Sequence, residues 1–140
     1  MLTAEYIAGF FDGEGCVSGS YRGYAANLAV SITQRKPEIL YEIDKQFPTL
    51  QGVFPKPGLR RMCYRIHWSQ GTAKPLLEAI LPYIFVKKSQ VELALKFIEL
   101  SPGTGGESSM DDKLKKKFII YDIQNYNDGI KRYAYQNKGA

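Results

Sequence analysis

The stretch IAGFFDGEG, residues 7–15, decides how the rest of this chain is expected to fold. Its large apolar side chains share one helix face, with the i, i+3 and i+4 spacing of Ile7, Phe10 and Phe11. Gly9 and Gly13 lie four residues apart, on a different face of the same predicted helix. Glycine inside a helix costs up to about 1 kcal/mol relative to alanine. Two glycines on one face therefore indicate close approach by the backbone of a second helix.

Two carboxylates come at the end of this predicted helix. Gly15 is a typical residue with which to end a helix, and it leaves Asp12 and Glu14 in the final turn. Acids are disfavoured there because the helix dipole is negative at that end. A bound metal ion would account for them. The alternative is a solvated turn leading into a strand, and the two acids alone do not decide between these interpretations.

Length and composition predict a single domain, residues 1–140, that is long enough to bury a core. The sequence has no run of 18 apolar residues and no signal or transit peptide pattern, so we expect a soluble protein with no membrane partner. Cys16 and Cys63 are too few for a disulfide framework and are not spaced as a zinc site. The single histidine excludes a metal site built from several histidines.

Charge is segregated along the chain, whose net charge is +5. Residues 15–37 and 48–77 contain no Asp or Glu. These two segments hold the basic residues Arg22, Arg35, Lys36, Lys56, Arg60, Arg61, Arg65 and Lys74. The remainder of the chain has more acids than bases, so the positive charge predicts a face that binds a polyanion.

The same two segments predict two β-hairpins, because apolar and polar residues alternate in them with a period of two. A solvated outer face usually carries Glu and Lys together, whereas the polar faces of these hairpins have no acid. The absence of acids favours DNA as the ligand. The predicted DNA-binding residues are Ser18, Ser20, Arg22, Asn27, Ser31, Thr33, Arg35, Arg61, Cys63, Arg65 and His67.

Four further helices are predicted from apolar periodicity and from their flanking residues. Their ranges are 37–47, 72–85, 89–100 and 111–126. Residues 102–110 are rich in glycine and serine and predict a flexible linker. Asn127-Asp128-Gly129 is expected to end the last helix, before a basic tail whose Lys131 and Arg132 are candidate phosphate contacts.

Residues 7–15 resemble the LAGLIDADG motif of homing endonucleases, in the variant with Phe-Phe in the middle and Gly-Glu-Gly at the end. From about Thr3 to Arg132, the predicted element order is similar to that of the small single-motif enzymes, which act as homodimers. The resemblance implies an α+β fold of the LAGLIDADG endonuclease type. It would have an αββαββα core, an antiparallel β-saddle and extra C-terminal helices.

The resemblance also implies roles for particular residues. Glu14 occupies the position of the metal-binding acid, where aspartate is commoner, and the carbonyl of Gly13 would complete the metal shell. Gln34 would lie near a metal-bound water, and Lys87 would be the active-site lysine, so the catalytic residues would be Glu14, Gln34 and Lys87. The implied cofactor is Mg²⁺, or another divalent cation such as Mn²⁺, or Ca²⁺ in a non-cleaving complex. The implied dimer interface consists of Ala8, Gly9, Asp12 and Gly13.

The implied activity is a metal-dependent double-strand cut in a near-palindromic DNA target, as part of intron homing. A strand of nine residues spans about 30 Å, close to one turn of DNA, so two subunits would read about 20 base pairs. One departure from the family is Glu38, where better-known members carry a basic residue. The alternatives are an RNA-splicing maturase that binds intron RNA, a cleavage-inactive DNA-binding protein of the same fold, and a purely structural interaction module. An organellar, phage or prokaryotic intron origin remains open.

Overall fold

A computed structural model describes residues 1–23, 25–58, 61–100 and 109–138 of the chain, with side chains described as far as residue 128. The fold is α+β, with one helix, two hairpins separated by a helix, and a run of C-terminal helices. The elements are α1 (Ala4–Glu14), β1 (Gly15–Arg22), β2 (Ala25–Gln34), α2 (Glu38–Gln46), β3 (Phe54–Pro57), β4 (Met62–Ser69), a 3₁₀ turn (Gln70–Ala73), α3 (Lys74–Ile80), α4 (Lys88–Glu99) and α5 (Met110–Lys138). This order confirms the predicted αββαββα arrangement with additional C-terminal helices.

The two hairpins form one antiparallel sheet with the strand order β1-β2-β4-β3. Gly15 lies opposite Ile32, and Ile32 in turn lies opposite Ile66, so the same register runs across the three long strands. One face of the sheet is apolar and buried, and its fully or nearly fully buried residues are Val17, Leu28, Val30, Ile32, Ile66 and Trp68. The helices pack on this face. The other face is therefore left uncovered by the core.

Helix α1 begins and ends where the sequence indicates. The hydroxyl of Thr3 accepts the backbone N–H of Tyr6 at 3.1 Å, which satisfies one of the free donors of the first turn. At the other end, the N–H of Gly15 donates to the carbonyl of Phe11. Because β1 starts at Gly15, no residue separates the helix from the strand.

Helix α5 packs across the edge strand β1. A Cβ at Gly19 would overlap the side chain of Ile120, so the helix approaches this strand at a point where only glycine fits. The side chains of Gln124 and Asn127 donate hydrogen bonds to the carbonyls of Gly19 and Val17, each at 3.0 Å. These contacts fix α5 against the sheet.

Two predicted helix boundaries are wrong. The helix expected over residues 72–85 is a 3₁₀ turn followed by α3, which ends at Ile80, and Pro82 has no N–H with which to extend it. The break expected at Asn127-Asp128-Gly129 does not occur, because α5 continues to Lys138. Asparagine tends to disrupt a helix because its side chain hydrogen-bonds to nearby backbone. Here the side-chain amide of Asn127 donates to the carbonyl of Val17 instead.

The predicted linker, residues 102–110, lies mostly outside the described residues, and Met110 already belongs to α5. In the part of the chain that the structure describes, no helix has both the length and the apolar composition needed to cross a membrane.

Candidate functional site

The candidate site lies where α1 meets β1. Glu14 is the last residue of α1, and its side chain is exposed. Among the described residues, the Glu14 carboxylate has no hydrogen-bond or ion-pair partner. An unpaired acid at the negative end of a helix is electrostatically unfavourable. Glu14 is therefore the acid in this region that would gain most from a cation.

The donors at this junction suit a hard divalent cation. The carbonyls of a last helical turn lack intrahelical partners, so the carbonyl of Gly13 can contribute an oxygen ligand beside the Glu14 carboxylate. Mg²⁺ prefers oxygen ligands, takes few carboxylates and keeps several of its waters. The described residues contain no cluster of three or more His, Cys, Asp or Glu side chains that could hold a metal. These ligands therefore fit an ion such as Mg²⁺ better than one that needs a complete protein cage.

Asp12 has a different role from Glu14. Its carboxylate accepts the backbone N–H of Phe85 at 2.7 Å through Oδ2, and that of Lys87 at 3.0 Å through Oδ1. These bonds tie the end of α1 to the segment that precedes α4. The acid at position 12 is thus explained by hydrogen bonds within the chain, whereas the described residues offer no such partner to Glu14.

Lys87 lies at the same end of α1 as Glu14. Its ammonium donates to the carbonyl of Asp12 at 2.6 Å and approaches that of Phe11 at 3.4 Å. A positive charge here stabilises the negative end of the helix. The structure therefore brings Lys87 to the junction, as the sequence predicts, and holds its ammonium through backbone carbonyls.

Gln34 is the last residue of β2 and is half-buried. It lies opposite Tyr64, two residues beyond the Gly15–Ile32 pair, so the register places it beside the α1–β1 junction. Since side chains alternate between the two faces of a strand, Gln34 points to the helical side, whereas Thr33 points to the uncovered side. Its predicted role in orienting a water remains a prediction.

The glycine face of α1, defined by Gly9 and Gly13, is open. Both residues are exposed, and a Cβ built on either would meet no atom within 4 Å. Nothing in the described part of the lone chain therefore requires glycine at these positions. Ala8, predicted beside them, is fully buried with Ile7 and Phe11. That prediction is wrong, because the 100° step of a helix turns Ala8 toward the core.

The uncovered face of the sheet contains most of the predicted DNA-binding residues. The register aligns Ser31 with Cys16 on one side and His67 on the other, and it aligns Thr33 with Arg65. The residues of this uncovered face that were predicted to bind DNA are Ser18, Ser20, Arg22, Asn27, Ser31, Thr33, Cys63, Arg65 and His67. We call this the polar sheet face. It contains no acid, because the four strands contain none.

Some residues of the polar sheet face are additional to those predicted. Ser69 lies opposite Ala29, and Lys56 lies opposite Cys63. Lys56 was predicted only as part of a basic, acid-free segment, and the register now places it on the same face as Arg65 and Cys63. Arg35 and Arg61 lie just outside the strands and are exposed. The side chains of Lys131 and Arg132 lie outside the described residues.

One basic side chain on this face is held in place. Arg65 Nε donates to the hydroxyl of Thr33 at 3.1 Å across the β2–β4 pair. The remaining guanidinium N–H groups stay available to a ligand. A positioned guanidinium of this kind suits phosphate or guanine, both of which it can bind through two parallel hydrogen bonds.

Comparison with known proteins gives a consistent result. Residues 1–47 match the sequence model of the LAGLIDADG-like domain. No curated protein matches the chain in sequence. Among solved structures, the archaeal intron-encoded homing endonuclease I-Vdi141I in complex with DNA is 19% identical, with a TM-score of 0.73, and the match covers 87% of this chain and 82% of that one.

Two other homing endonucleases have the same fold. I-TnaI is 17% identical with a TM-score of 0.67, over 86% of this chain and 87% of that one. I-CvuI, solved with an uncleaved I-CreI target in the presence of Mg, is 19% identical with a TM-score of 0.65, over 86% of this chain and 79% of that one. At these identities, the structural similarity establishes the fold.

Proposed function

We propose that the chain is a site-specific DNA endonuclease, because residues 1–47 match the LAGLIDADG-like domain and the chain has the homing-endonuclease fold. It would act as a homodimer and make a divalent-metal-dependent double-strand cut in a long, near-palindromic target. One observation carries this proposal. Among the described residues, no side chain or backbone group pairs with the carboxylate of Glu14, which ends the helix with the open glycine face and directly precedes the first strand of the acid-free sheet face.

The polar sheet face supports duplex DNA as the substrate. It combines short hydroxyl and amide side chains, suited to direct or water-bridged base contacts, with arginines that can bind guanine through two hydrogen bonds. The solved relatives I-Vdi141I and I-CvuI are complexes with DNA. The absence of acids removes the repulsion that a phosphate backbone would otherwise meet.

The need for two cuts supports a homodimer. One chain provides one Glu14, whereas cutting both strands requires a catalytic acid near each scissile phosphate. Packing of the glycine face against that of a second copy would bring two Glu14 carboxylates together on a twofold axis. A near-palindromic target would match that symmetry.

The chain's own residues would perform the steps around the scissile phosphate. A divalent cation held by the Glu14 carboxylate and the Gly13 carbonyl would supply water activation and charge neutralisation. The ammonium of Lys87 would stabilise negative charge developing on the phosphate. Gln34 would orient the attacking water. The polar sheet face would hold the duplex in register during these steps.

Glu14→Gln tests this function, and Glu99→Gln is the matched control because Glu99 is also an exposed acid that ends a helix, in this case α4. A target would first be selected from a randomised duplex library by binding in Ca²⁺, and cleavage would then be measured with and without Mg²⁺. We expect Glu14→Gln to bind the target with unchanged affinity and to lose Mg²⁺-dependent cutting. Glu99→Gln should retain cutting.

Each other result contradicts a particular part of the proposal. Normal cutting by Glu14→Gln would show that the metal ligand is wrongly assigned. Binding without cutting by the unmodified chain, in Mg²⁺ and in Mn²⁺, would identify a DNA-binding protein without nuclease activity. Affinity for duplex DNA that is insensitive to salt would rule out phosphate-dominated recognition altogether.

A further inference from the structure

The segment between α3 and α4 exposes large apolar side chains. Phe85 is 87% exposed and Val86 is 64% exposed, and both lie next to Lys87 in the chain. Isolated apolar residues on a surface are ordinary, but contiguous ones typically mark a site of interaction. We call residues 85 and 86 the apolar tip.

The apolar tip is held in a fixed position. On one side, Ile84 is 5% exposed and anchors the segment in the core. On the other side, the carboxylate of Asp12 accepts the N–H groups of Phe85 and Lys87. A segment that is held at both ends cannot fold its apolar side chains inward. The exposure of Phe85 and Val86 is therefore built into the fold.

Asp12 also fixes where the apolar tip lies relative to the glycine face. Successive helical residues are about 100° apart, so Asp12 lies about 60° around the helix from Gly9 and about 100° from Gly13. The segment that Asp12 binds therefore borders the glycine face along one edge. Tyr6, which is 53% exposed, lies on the opposite edge. The glycine face is thus flanked by large apolar groups.

The glycine face alone is a small contact surface. Helix α1 has 11 residues and is about 16 Å long, and glycines contribute little apolar area. Specific, stable interfaces bury about 1,200–2,000 Å² in total. A homodimer needs additional apolar side chains at the rim of that face, and the apolar tip provides them.

We propose that Phe85 and Val86 form a second contact of the homodimer, packing against the other copy on both sides of the twofold axis. This inference rests on the homodimer proposed above. The occupant is a second copy of this chain because the apolar tip is continuous with the glycine face, and a twofold axis through that face repeats the tip symmetrically. Since Asp12 binds both Phe85 and Lys87, contact at the apolar tip would also stabilise the segment that carries Lys87.

The test compares Phe85→Ser with Phe118→Ser in the full chain, by sedimentation equilibrium over a range of concentrations with and without duplex DNA. Phe118 is a suitable control because it is 68% exposed on α5 and lies beside Tyr21 of β1. We expect Phe85→Ser to raise the dimer Kd by at least about tenfold, as loss of a buried aromatic anchor typically does. Phe118→Ser should change it by less than about twofold.

Two further variants separate this inference from the homodimer itself. Val86→Ser should also raise the dimer Kd, which would exclude a folding defect peculiar to Phe85→Ser. Gly9→Leu should abolish the dimer through the glycine face. If Gly9→Leu weakens the dimer and neither tip variant does, the apolar tip is not a contact, although the homodimer stands. If the unmodified chain is monomeric with and without DNA, both proposals are wrong.

Discussion

The carboxylate of Asp12 accepts the backbone N–H of Lys87 at 3.0 Å, and the ammonium of Lys87 donates to the backbone carbonyl of Asp12 at 2.6 Å. The two residues are 75 positions apart in the chain. This reciprocal pair joins the end of α1 to the start of α4. It also places a lysine at the same end of α1 as Glu14, and the described residues show no ion pair between the two.

Asp12→Asn is expected to destabilise this junction. An amide offers one acceptor oxygen and directs an NH₂ group at the other backbone donor, so one of the two N–H groups loses its partner. The free energy of unfolding should fall by about 1–2 kcal/mol, as measured by urea denaturation. Asp122→Asn, an exposed acid on α5, is the control and should change stability little. Equal stability of the two variants would show that the Asp12 bonds contribute nothing.

Gly9→Ala is expected to change stability and assembly in opposite directions. A Cβ at Gly9 meets no atom within 4 Å, and alanine is a better helix former than glycine. At concentrations where the chain is monomeric, the free energy of unfolding should rise by about 0.5–1 kcal/mol. The dimer should weaken because helix backbones can no longer approach closely. An unchanged dimer Kd would contradict the proposed role of the glycine face.

Gly19→Ala is expected to destabilise the fold, although it is the same chemical change. A Cβ at Gly19 would overlap Ile120, so either the buried Ile120 side chain must change its rotamer or α5 must shift away from β1. Overpacking of this kind typically costs about 1–3 kcal/mol. Thermal unfolding of Gly19→Ala and Gly9→Ala, measured side by side, should give shifts of opposite sign. A neutral Gly19→Ala would indicate that α5 does not pack closely on β1.

Arg65→Ala and Thr33→Val separate charge from positioning on the polar sheet face. If Arg65 contacts phosphate, Arg65→Ala should weaken binding to all duplexes. It should also reduce the steepness with which the logarithm of the binding constant falls with the logarithm of salt concentration, by about one. Thr33→Val keeps the charge but removes the acceptor of Arg65 Nε. We expect Thr33→Val to weaken binding without altering this dependence on salt. Both quantities can be measured by fluorescence anisotropy titrations at several salt concentrations. Lys45→Ala, on α2, should leave both quantities unchanged.

The local pattern of the sequence was enough to predict most helices and strands, whereas their arrangement was implied by the resemblance to LAGLIDADG proteins. The apolar spacing in α1, the alternation in β2 and β4 and the glycine at position 15 each depend on neighbouring residues, and each corresponds to an observed element. The alternation of apolar and polar residues in the two hairpins also predicted which residues would share a face. These features follow from the periods of helices and strands.

The remaining features depend on contacts between distant parts of the chain. Asp12 appeared to need a metal because its partners, Phe85 and Lys87, are more than 70 residues away. From the sequence alone, Asn127 indicates the end of a helix, because its hydrogen bond to the carbonyl of Val17 cannot be foreseen. The burial of Ala8 could have been predicted, because the rotation of about 100° per helical residue places Ala8 on a different side of α1 from Gly9. The apolar tip could not be recognised until the exposure of Phe85 was known.

The direct junction of α1 and β1 has a consequence for the DNA target. With no residue between Glu14 and Gly15, the chain has no linker at this point that could change the angle between the helix and the strand. In the proposed dimer, the two recognition surfaces would therefore stand at one fixed spacing. A target lengthened by a single base pair at its centre would rotate one half-site by about 35°, because B-DNA has about 10.5 base pairs per turn. Only one half-site of such a target could then be engaged.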